Sequence, residues 1–416
     1  MRHGIAARLT RNLGNSARII AVFLLIQCFP FFCPAAGAAF PSAWTRSCPI
    51  TVDHTKVAGN LVNFPVLVSY NATTNNETNL PDEMMQTGNP NAAQADGGDI
   101  RFTIDAAGTE PLHYEIVTFT QNATLASAKA VIWVALPELS STVDKTFYVW
   151  YKPSSVQTTP VASDINWGSQ RVWDQSYLGV WHMNETLTGA GQVVADSTRN
   201  ALNAASVGVW IAGNQVPGKF GGSLSFINGG SRYVQASNVP AAQERSCEFW
   251  FNPNDLTSSQ YLFYGGWPNF EFYRNDFWGV GPINWLENYY YTPASYASML
   301  TGANFSTGTW YHMVFTTAAN GAYKFFVNGA VSASGTQANF IAWYALQASV
   351  AWGTAYDGLM QEARISTTAR SAAWIATEYN NENAPQTFLT RGTAAAAGRP
   401  ATSPIATISG VQSLRI

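Results

Sequence analysis

GLMQEARISTTARSAAWIATEYNNENAPQTF, residues 358–388, is the stretch that decides the fold. It opens with a run that alternates in the manner of a β-strand. The alternation predicts one face with Leu359, Gln361, Ala363 and Ile365, and an opposite face with Met360, Glu362 and Arg364. A closing strand that leads into a packed helix is typical of the end of a domain.

The strand continues through a turn at 366–369 into a short predicted helix. The helix covers about residues 372–380, because Trp374, Ile375 and Tyr379 are spaced to share one helical face. Pro385 prevents its continuation.

This stretch resembles the end of the laminin-G-like jelly rolls in the concanavalin A-like lectin/glucanase superfamily. Three earlier motifs resemble successive landmarks of that family: LGVWHMNE at 178–185, ADSTRN at 195–200 and GKFGGSLSF at 218–226. The sequence departs from the family at Gln361, where an Asp is usual. The resemblance implies that residues 171–392 form an antiparallel β-sandwich with jelly-roll topology.

Hairpin turns indicate the same architecture independently. Asn-Gly dipeptides at 320–321 and 328–329 flank an alternating run at 323–327. Asn-Gly is the strongest short-range hairpin pattern, because both central residues of a type I′ turn need positive φ. The sequence therefore predicts a meander within an antiparallel sheet.

The preceding region, residues 40–152, predicts another β-sandwich. Short runs rich in Val, Ile, Tyr, Phe and Trp are separated by Gly, Asn, Asp and Pro, without a convincing helix. The motifs GDIRF at 98–102, IWV at 132–134 and YVWY at 148–151 resemble the domain-of-unknown-function family 2341. The predicted fold class is therefore all-β, with two antiparallel β-sandwich domains, the second a concanavalin A-like jelly roll.

The ends of the chain and the connector carry other patterns. Residues 1–38 are typical of a signal peptide: arginines without acids, an apolar run at 19–32 that is too short to span a bilayer, and small residues near a cleavage site at Ala38. A linker is predicted at 153–170 and a flexible tail at 393–416. With no further apolar run of membrane length, we expect an exported protein of bacterial type that is secreted, periplasmic or held at the cell surface.

Composition excludes nucleic acid as an expected partner. Charged residues make up 11% of the chain, the net charge is −3, and neither a Lys/Arg run nor a zinc-spaced Cys/His set occurs. Outside the signal peptide the cysteines are Cys48 and Cys247, which could pair in an oxidising compartment. The favoured interpretation is that Cys247 is a free thiol buried with Phe249 and Phe251.

Residues 261–296 are unusually rich in aromatic residues, interrupted by Gly and Pro. Exposed Trp and Tyr can stack on the apolar face of a sugar and hydrogen-bond through their polar tips, so this stretch favours a carbohydrate-binding face. The alternative is that these rings pack the sandwich and its loops. The residues predicted to be exposed and to bind ligand are Trp267, Trp278, Trp285 and Tyr290.

The resemblance also implies a calcium site. Laminin-G-like folds frequently hold Ca²⁺ at a sheet rim through carboxylate and carbonyl oxygens. The matching positions are Glu185, Asp196 and Glu362, although Gln361 removes a charge from the usual set. The alternative for Asp196 is that its side chain caps a turn.

The favoured function is non-catalytic binding of a polysaccharide or another glycan. The enzymes of the superfamily use paired carboxylates on one strand, and residues 171–392 contain no Glu-x-Asp-x-x-Glu triplet. Two alternatives stay open: a polysaccharide hydrolase or lyase with an unrecognised site, and a structural or adhesion module that binds a cell-surface protein. Convergent acids in a cleft would favour the enzyme, and a flat apolar patch would favour the protein partner.

Overall fold

The computed structural model of the protein describes residues 40–73, 76–227, 232–237, 239–240, 244–256, 260–264, 269–272, 286–292, 295–300, 303–336, 349–352 and 356–397. All of them lie in the unit Ala38–Ile416. The predicted signal peptide lies outside the described residues. Among the described helices, none combines the length and the apolar character that crossing a membrane requires.

The described elements are almost all strands. The strands are β1 (Trp44–Val52), β2 (Leu61–Asn71), β3 (Glu77–Thr78), β4 (Arg101–Thr103), β5 (Tyr114–Thr120), β6 (Lys129–Leu139), β7 (Lys145–Pro153), β8 (Tyr177–Trp181), β9 (Val193–Val194), β10 (Ala204–Val207), β11 (Gln215–Pro217), β12 (Gly222–Phe226), β13 (Tyr233–Ser237), β14 (Arg245–Pro253), β15 (Gln260–Tyr264), β16 (Asn269–Phe272), β17 (Leu286–Thr292), β18 (Ser295–Leu300), β19 (Tyr311–Thr317), β20 (Ala322–Val327), β21 (Ala330–Thr336), β22 (Ser349–Trp352), β23 (Gly358–Ser366), β24 (Leu389–Arg391) and β25 (Ala395–Ala396). The α-helices are α1 (Asp82–Met85), α2 (Ala372–Asn383) and α3 (Pro385–Phe388).

These strands form two antiparallel sandwiches. The first has sheets of order β24-β1-β7-β4, with β25 also on β1, and β3-β2-β6-β5. The second has sheets of order β18-β17-β16-β15-β22-β13-β10-β9 and β11-β12-β23-β14-β19-β20-β21, with β8 also on β23. The all-β, two-sandwich architecture is thus as the sequence predicts.

The two larger hydrophobic cores of the described residues hold the sandwiches together. One lies between the sheets of the second sandwich and contains Trp181, Cys247, Phe249, Phe251 and Met313. The other fills the first sandwich and continues onto the second, because it joins Cys48 and Val66 to Trp250 and Trp374. Both cysteines are buried and free, which confirms the favoured interpretation of Cys247.

The predicted meander is confirmed in its turns. Asn328 and Gly329, between β20 and β21, have φ of 51° and 78°. These are the positive values that a type I′ hairpin turn requires. Gly321, in the preceding hairpin, has φ of 81°.

The predicted alternation of the closing strand is wrong at Glu362. Glu362 has φ of 53°, and the register of β23 against β14 shifts at this point, so the strand contains a β-bulge. Met360 therefore shares the core face with Ala363 and Ile365, while Gln361 lies on the opposite side with Arg364. At the bulge β23 also changes partner, from β12 to β8.

Helix α2 begins where predicted and packs between the sandwiches. The Ser371 hydroxyl accepts a hydrogen bond from the Trp374 N–H at 3.1 Å, as an N-cap does. The Trp374 ring meets Phe64 of the first sandwich edge-on at 4.9 Å. The helix runs to Asn383, three residues beyond its predicted end, before Pro385 starts α3.

The end of the described chain returns to the first sandwich, which differs from the predicted domain boundary at 392 and the predicted tail. Leu389–Arg391 pairs with residues 50–52 of β1, and Ala395–Ala396 pairs with residues 46–47. The edge of β1 offers unpaired backbone groups, and the short helix α3 turns the chain onto that edge. This pairing is long-range, and therefore no local sequence pattern indicates it.

Candidate functional site

The aromatic residues predicted to bind ligand fall in the part of the chain with the fewest described positions. Trp267, Trp278 and Trp285 lie outside the described residues. Tyr290 belongs to β17, whose backbone register is described. The register therefore tests which face of the sheet each tyrosine position belongs to.

The register separates the tyrosine positions from the core. Val234 and Ala236 of β13 are buried and mark the face of the sheet that points to the core. Val234 pairs with residue 352 of β22, and residue 352 pairs with Phe263 of β15, which is also buried. Residues that pair in this way form one row across the sheet and lie on the same face. Through β16 this row reaches Asn288, so the core face of β17 includes position 290 rather than 289. The positions on the opposite face, here called the tyrosine face, are Tyr261, Tyr264, Tyr289, Tyr291 and Tyr296. Position 290 lies in the row of the core face and its two neighbours in the opposite row, and ligand binding by Tyr290 stays a prediction.

The predicted calcium ligand Asp196 is engaged by protein donors. One carboxylate oxygen accepts from the N–H groups of Val180 and Thr198 at 3.0 and 2.9 Å. The other accepts from the Thr198 hydroxyl and the Leu202 N–H at 2.9 and 2.8 Å. Asp196 therefore organises the turn at 196–202, as the alternative interpretation holds.

Among the described residues, Glu185, Asp196 and Glu362 do not form one of the groups of acids and histidines that are close enough to share a metal ion. Glu185 accepts one hydrogen bond from the Ala195 N–H at 2.9 Å, and burial raises the pKa of its carboxyl. Glu362 is buried and bound to His182 and Arg364. Calcium binding stays a prediction that these contacts do not favour.

Arg364 lies at the centre of a buried ionic network that the sequence did not predict. Its Nη1 and Nη2 donate hydrogen bonds of 2.7–2.9 Å to four carboxylates, and its side chain is fully buried. The acceptors are Glu248, Glu362, Glu378 and Glu382. The guanidinium also lies 4.7 Å from the ring centroid of Trp133 in the first sandwich, a cation–π contact.

Two carboxyl groups of this network retain protons at neutral pH. Burial, reinforced by the charge of Glu248, raises the pKa of Glu378 to about 8. Burial and the neighbouring carboxylates likewise raise the pKa of Glu382 to about 8. Protonation reduces the negative charge that the dry interior would otherwise hold.

His182 provides the second cation of the network. Burial lowers the pKa of His182, but the carboxylates of Glu362 and Glu115 outweigh burial and raise it to about 10. Its Nδ1 lies 2.8 and 2.9 Å from the two oxygens of Glu362. Burial raises the pKa of Glu362, but His182 and then Arg364 outweigh it and hold that pKa below its usual value.

Three groups of the network are close enough to hold a metal ion. Ligand atoms of Glu248, His312 and Glu382 lie within 4.8 Å of one another. Arg364 Nη1, however, contacts both carboxylates at 2.7 Å, so the guanidinium already serves as their counter-ion. Since all these groups are buried, the network can hold the sandwiches together but cannot receive a glycan.

A groove of about 630 Å³ lies where the first sandwich meets the connector and the start of the second sandwich. Its lining includes Asn63, His113, Arg171, Trp173, Gln175 and Arg199. A smaller cavity of about 260 Å³ shares Trp173 and Arg199 with it. No sequence motif indicated this groove, because its lining comes from separate segments of the chain.

Comparison with protein families identifies both parts of the chain. A family model for the concanavalin A-like lectin/glucanases superfamily matches residues 228–376. A model for a domain of unknown function, DUF2341, matches residues 96–165. The chain carries a DUF2341 domain followed by a concanavalin A-like domain. Both resemblances drawn from the sequence motifs are thereby confirmed.

The residues matched to the concanavalin A-like family contain the tyrosine face and part of the Arg364 network. Strands β15 to β18 and the acids Glu248 and Glu362 lie within these residues. Glu378 and Glu382 follow the matched residues directly, and Trp133 and Glu115 belong to the matched DUF2341 domain.

Solved structures similar to this chain have distant sequences. Domain 4 of a GH43 extracellular arabinanase from Geobacillus stearothermophilus, in complex with arabinotriose, is 20% identical, with a TM-score of 0.40 over 49% of this chain and 98% of that one. The receptor-binding domain of botulinum neurotoxin C/D mosaic serotype is 13% identical, with a TM-score of 0.39 over 49% of this chain and 51% of that one. The match thus spans about half of the toxin domain. A search of curated proteins finds no match.

Proposed function

We propose that the protein is a non-catalytic glycan-binding protein that uses the tyrosine face of its concanavalin A-like domain. The observation that carries this proposal is the register of β15 to β18, which gathers Tyr261, Tyr264, Tyr289, Tyr291 and Tyr296 on the face opposite the core. The match to a lectin/glucanase superfamily supports the same class of ligand.

The chemistry of this face suits a sugar. Tyrosine offers a flat apolar ring for the C–H face of a pyranose and a hydroxyl that hydrogen-bonds to sugar hydroxyls. Polar positions share the same rows, since Asn269 pairs with Tyr289 and Glu271 pairs with both Tyr261 and Glu287. A mixture of rings and polar groups is typical of a site that orients a polar ligand.

The carboxylates that converge do not support a hydrolase. Glu248, Glu362, Glu378 and Glu382 are each at most 3% exposed and are bonded to Arg364. A glycosidase needs two carboxyl groups that flank an accessible sugar ring. We further propose that the protein acts outside the cytoplasm, as its N-terminal pattern suggests.

A polysaccharide pull-down tests the proposed function. The purified protein is incubated with a panel of insoluble and soluble polysaccharides, with Ca²⁺ and with EDTA, and the supernatant is assayed for released sugar. We expect retention without release, lost in the double variant Tyr289→Ala/Tyr291→Ala while its melting temperature is unchanged. Loss of retention in Trp267→Ala or Trp285→Ala would extend the site to those predicted residues.

Tyr290→Ala is the matched control, because its register position is on the core face. It should lower the melting temperature and leave retention by the folded protein intact. No retention on any glycan would sink the proposal and favour a protein partner. Released sugar would show an enzyme, and loss in EDTA would support the predicted calcium site.

A further inference from the structure

The groove between the sandwiches carries an excess of positive charge. Arg171 and Arg199 both line it and both are exposed. Among the described residues, neither guanidinium forms an ion pair with a carboxylate. Both arginines act electrostatically on His113. Burial lowers the pKa of this histidine, and the charges of Arg171 and Arg199 lower it further.

The acids near the groove do not neutralise these arginines. Asp174 lines the groove, but both of its oxygens accept hydrogen bonds from Arg370, at 2.8 and 3.0 Å. Asp164 also acts on His113, and one of its oxygens accepts from the N–H groups of residues 166 and 167. Two guanidinium groups thus face one acid, Asp164, that is not ion-paired with another cation among the described residues, and the groove keeps a net positive charge.

The rest of the lining is partly apolar and partly amide. Val62 is 66% exposed, and Pro111 and Pro137 are also exposed at the rim. Asn63 and Gln175 add exposed amide groups. A volume of about 630 Å³ lies within the range of small-molecule sites. Apolar walls, amides and guanidinium groups together fit a ligand with an apolar ring face, hydroxyls and an anionic group.

We propose that this groove binds an anionic sugar residue, with Arg171 and Arg199 donating hydrogen bonds to its carboxylate or sulfate. Guanidinium groups suit such anions because their planar N–H forks match two oxygens at once. The ligand class rests on the proposed glycan-binding function, but the groove and the tyrosine face are formed by different residues. The groove would add selectivity for acidic polysaccharides.

Titration calorimetry on the purified protein tests this site. The probes are digalacturonate, a sulfated galactose disaccharide and the neutral disaccharide galactobiose. We expect an anionic probe to bind at least about tenfold more tightly than the neutral one, with the preference weakening as salt is added. A preference for digalacturonate assigns a carboxylate, and a preference for the sulfated sugar assigns a sulfate.

The double variant Arg171→Gln/Arg199→Gln should abolish this preference. Its matched control is Lys129→Gln/Lys324→Gln, which removes the same charge from exposed positions outside the groove and should keep the preference. Each single variant, with an unchanged melting temperature, guards against misfolding. An unchanged preference in the arginine variants would overturn the inference.

The two proposals fail in different ways. Equal binding of neutral and anionic probes, with polysaccharide still retained through the tyrosine face, would overturn the groove alone. Failure of every glycan in both assays would overturn both proposals.

Discussion

The buried network around Arg364 and His182 is balanced by protonation of its acids as well as by hydrogen bonds. Removing charges from water is costly unless each one is paired. Here two cations face the carboxylates of Glu248, Glu362, Glu378 and Glu382, and the pKa values of Glu378 and Glu382 rise to about 8. The folded protein therefore binds protons that the unfolded chain would release.

This uptake predicts that stability falls as pH rises from about 7 to 9, a range above the lowered pKa values of the buried His312 and the half-buried His113. Glu378 and Glu382 have folded pKa values above their ordinary value of 4.5, so the stability they contribute is present below 4.5 and lost as pH rises through 8. His182 acts in the same direction between 6.5 and 10. The melting temperature should fall by more than about 5 °C across this range, measured by calorimetry.

A glutamine double variant identifies the source of the slope. Glu378→Gln/Glu382→Gln removes two of the three titrating groups and should reduce the dependence on pH to the part that His182 contributes. Glu110→Gln/Glu138→Gln changes two exposed carboxyls and should leave the slope as it was. A full slope in the first variant would contradict the assignment.

Individual residues differ in how far the sequence alone could place them. The turn at Asn328 is local, and the sequence pattern predicts it. The cap at Ser371 is also local, but only the helix that it starts was predicted. The bulge at Glu362 is not local, because it depends on β23 changing partner from β12 to β8. The Arg364 network joins residues up to 180 positions apart, as in the bond between His182 and Glu362, so spacing could not reveal it. The one indication of the network in the sequence was Arg364, a charged residue between the apolar Ala363 and Ile365 of the closing strand.

Helix α2 bridges the two sandwiches. One of its side chains makes the backbone hydrogen bonds that a neighbouring strand would otherwise make with β2. Asn381 accepts a hydrogen bond from the Leu67 N–H at 2.7 Å and donates one to the Leu67 carbonyl at 3.1 Å. Leu67 lies on β2, and these bonds satisfy its backbone on the side away from β6. The sequence predicted this helix and its aromatic face, but not the sheet against which the helix packs.

Asn381→Ala should destabilise the protein by about 2–4 kcal/mol, because it leaves a buried N–H and carbonyl unpaired. Chemical denaturation measures this loss, and hydrogen exchange at Leu67 should accelerate. Asn380→Ala is the matched control on the next residue, where a single bond to the Lys56 carbonyl is lost at the half-buried surface. Its cost should be about 1 kcal/mol or less. Equal losses would argue against the bridging role of Asn381.

The whole molecule is joined by more than its connector. One hydrophobic core extends from Val66 of the first sandwich to Trp250 of the second. Glu115 of β5 accepts a hydrogen bond from the Trp173 indole at 2.7 Å and lies 3.5 Å from His182. The two domains, although they match different families, thus share one hydrophobic core and one buried polar network. The sequence analysis predicted a linker between them and did not anticipate this contact.

We expect this shared interior to produce a single unfolding transition. Val68→Ala in the first sandwich and Met313→Ala in the second each remove a fully buried side chain, at a cost of about 2–4 kcal/mol. Calorimetry should show both variants lowering the same transition, with equal calorimetric and van't Hoff enthalpies. Two transitions, each shifted by one variant only, would show that the sandwiches unfold independently.

The return of β24 and β25 to β1 bears on how the protein is made. Domains usually fold in order as they leave the ribosome, the N-terminal one first. Here β1 acquires its last neighbours from residues 389–396, which are synthesised long after the rest of the first sandwich. The first sandwich therefore cannot complete its sheet until residues 389–396 have emerged from the ribosome. A nascent chain that lacks these residues would carry an open sheet edge, and a chaperone that shields such edges would be most valuable at that stage.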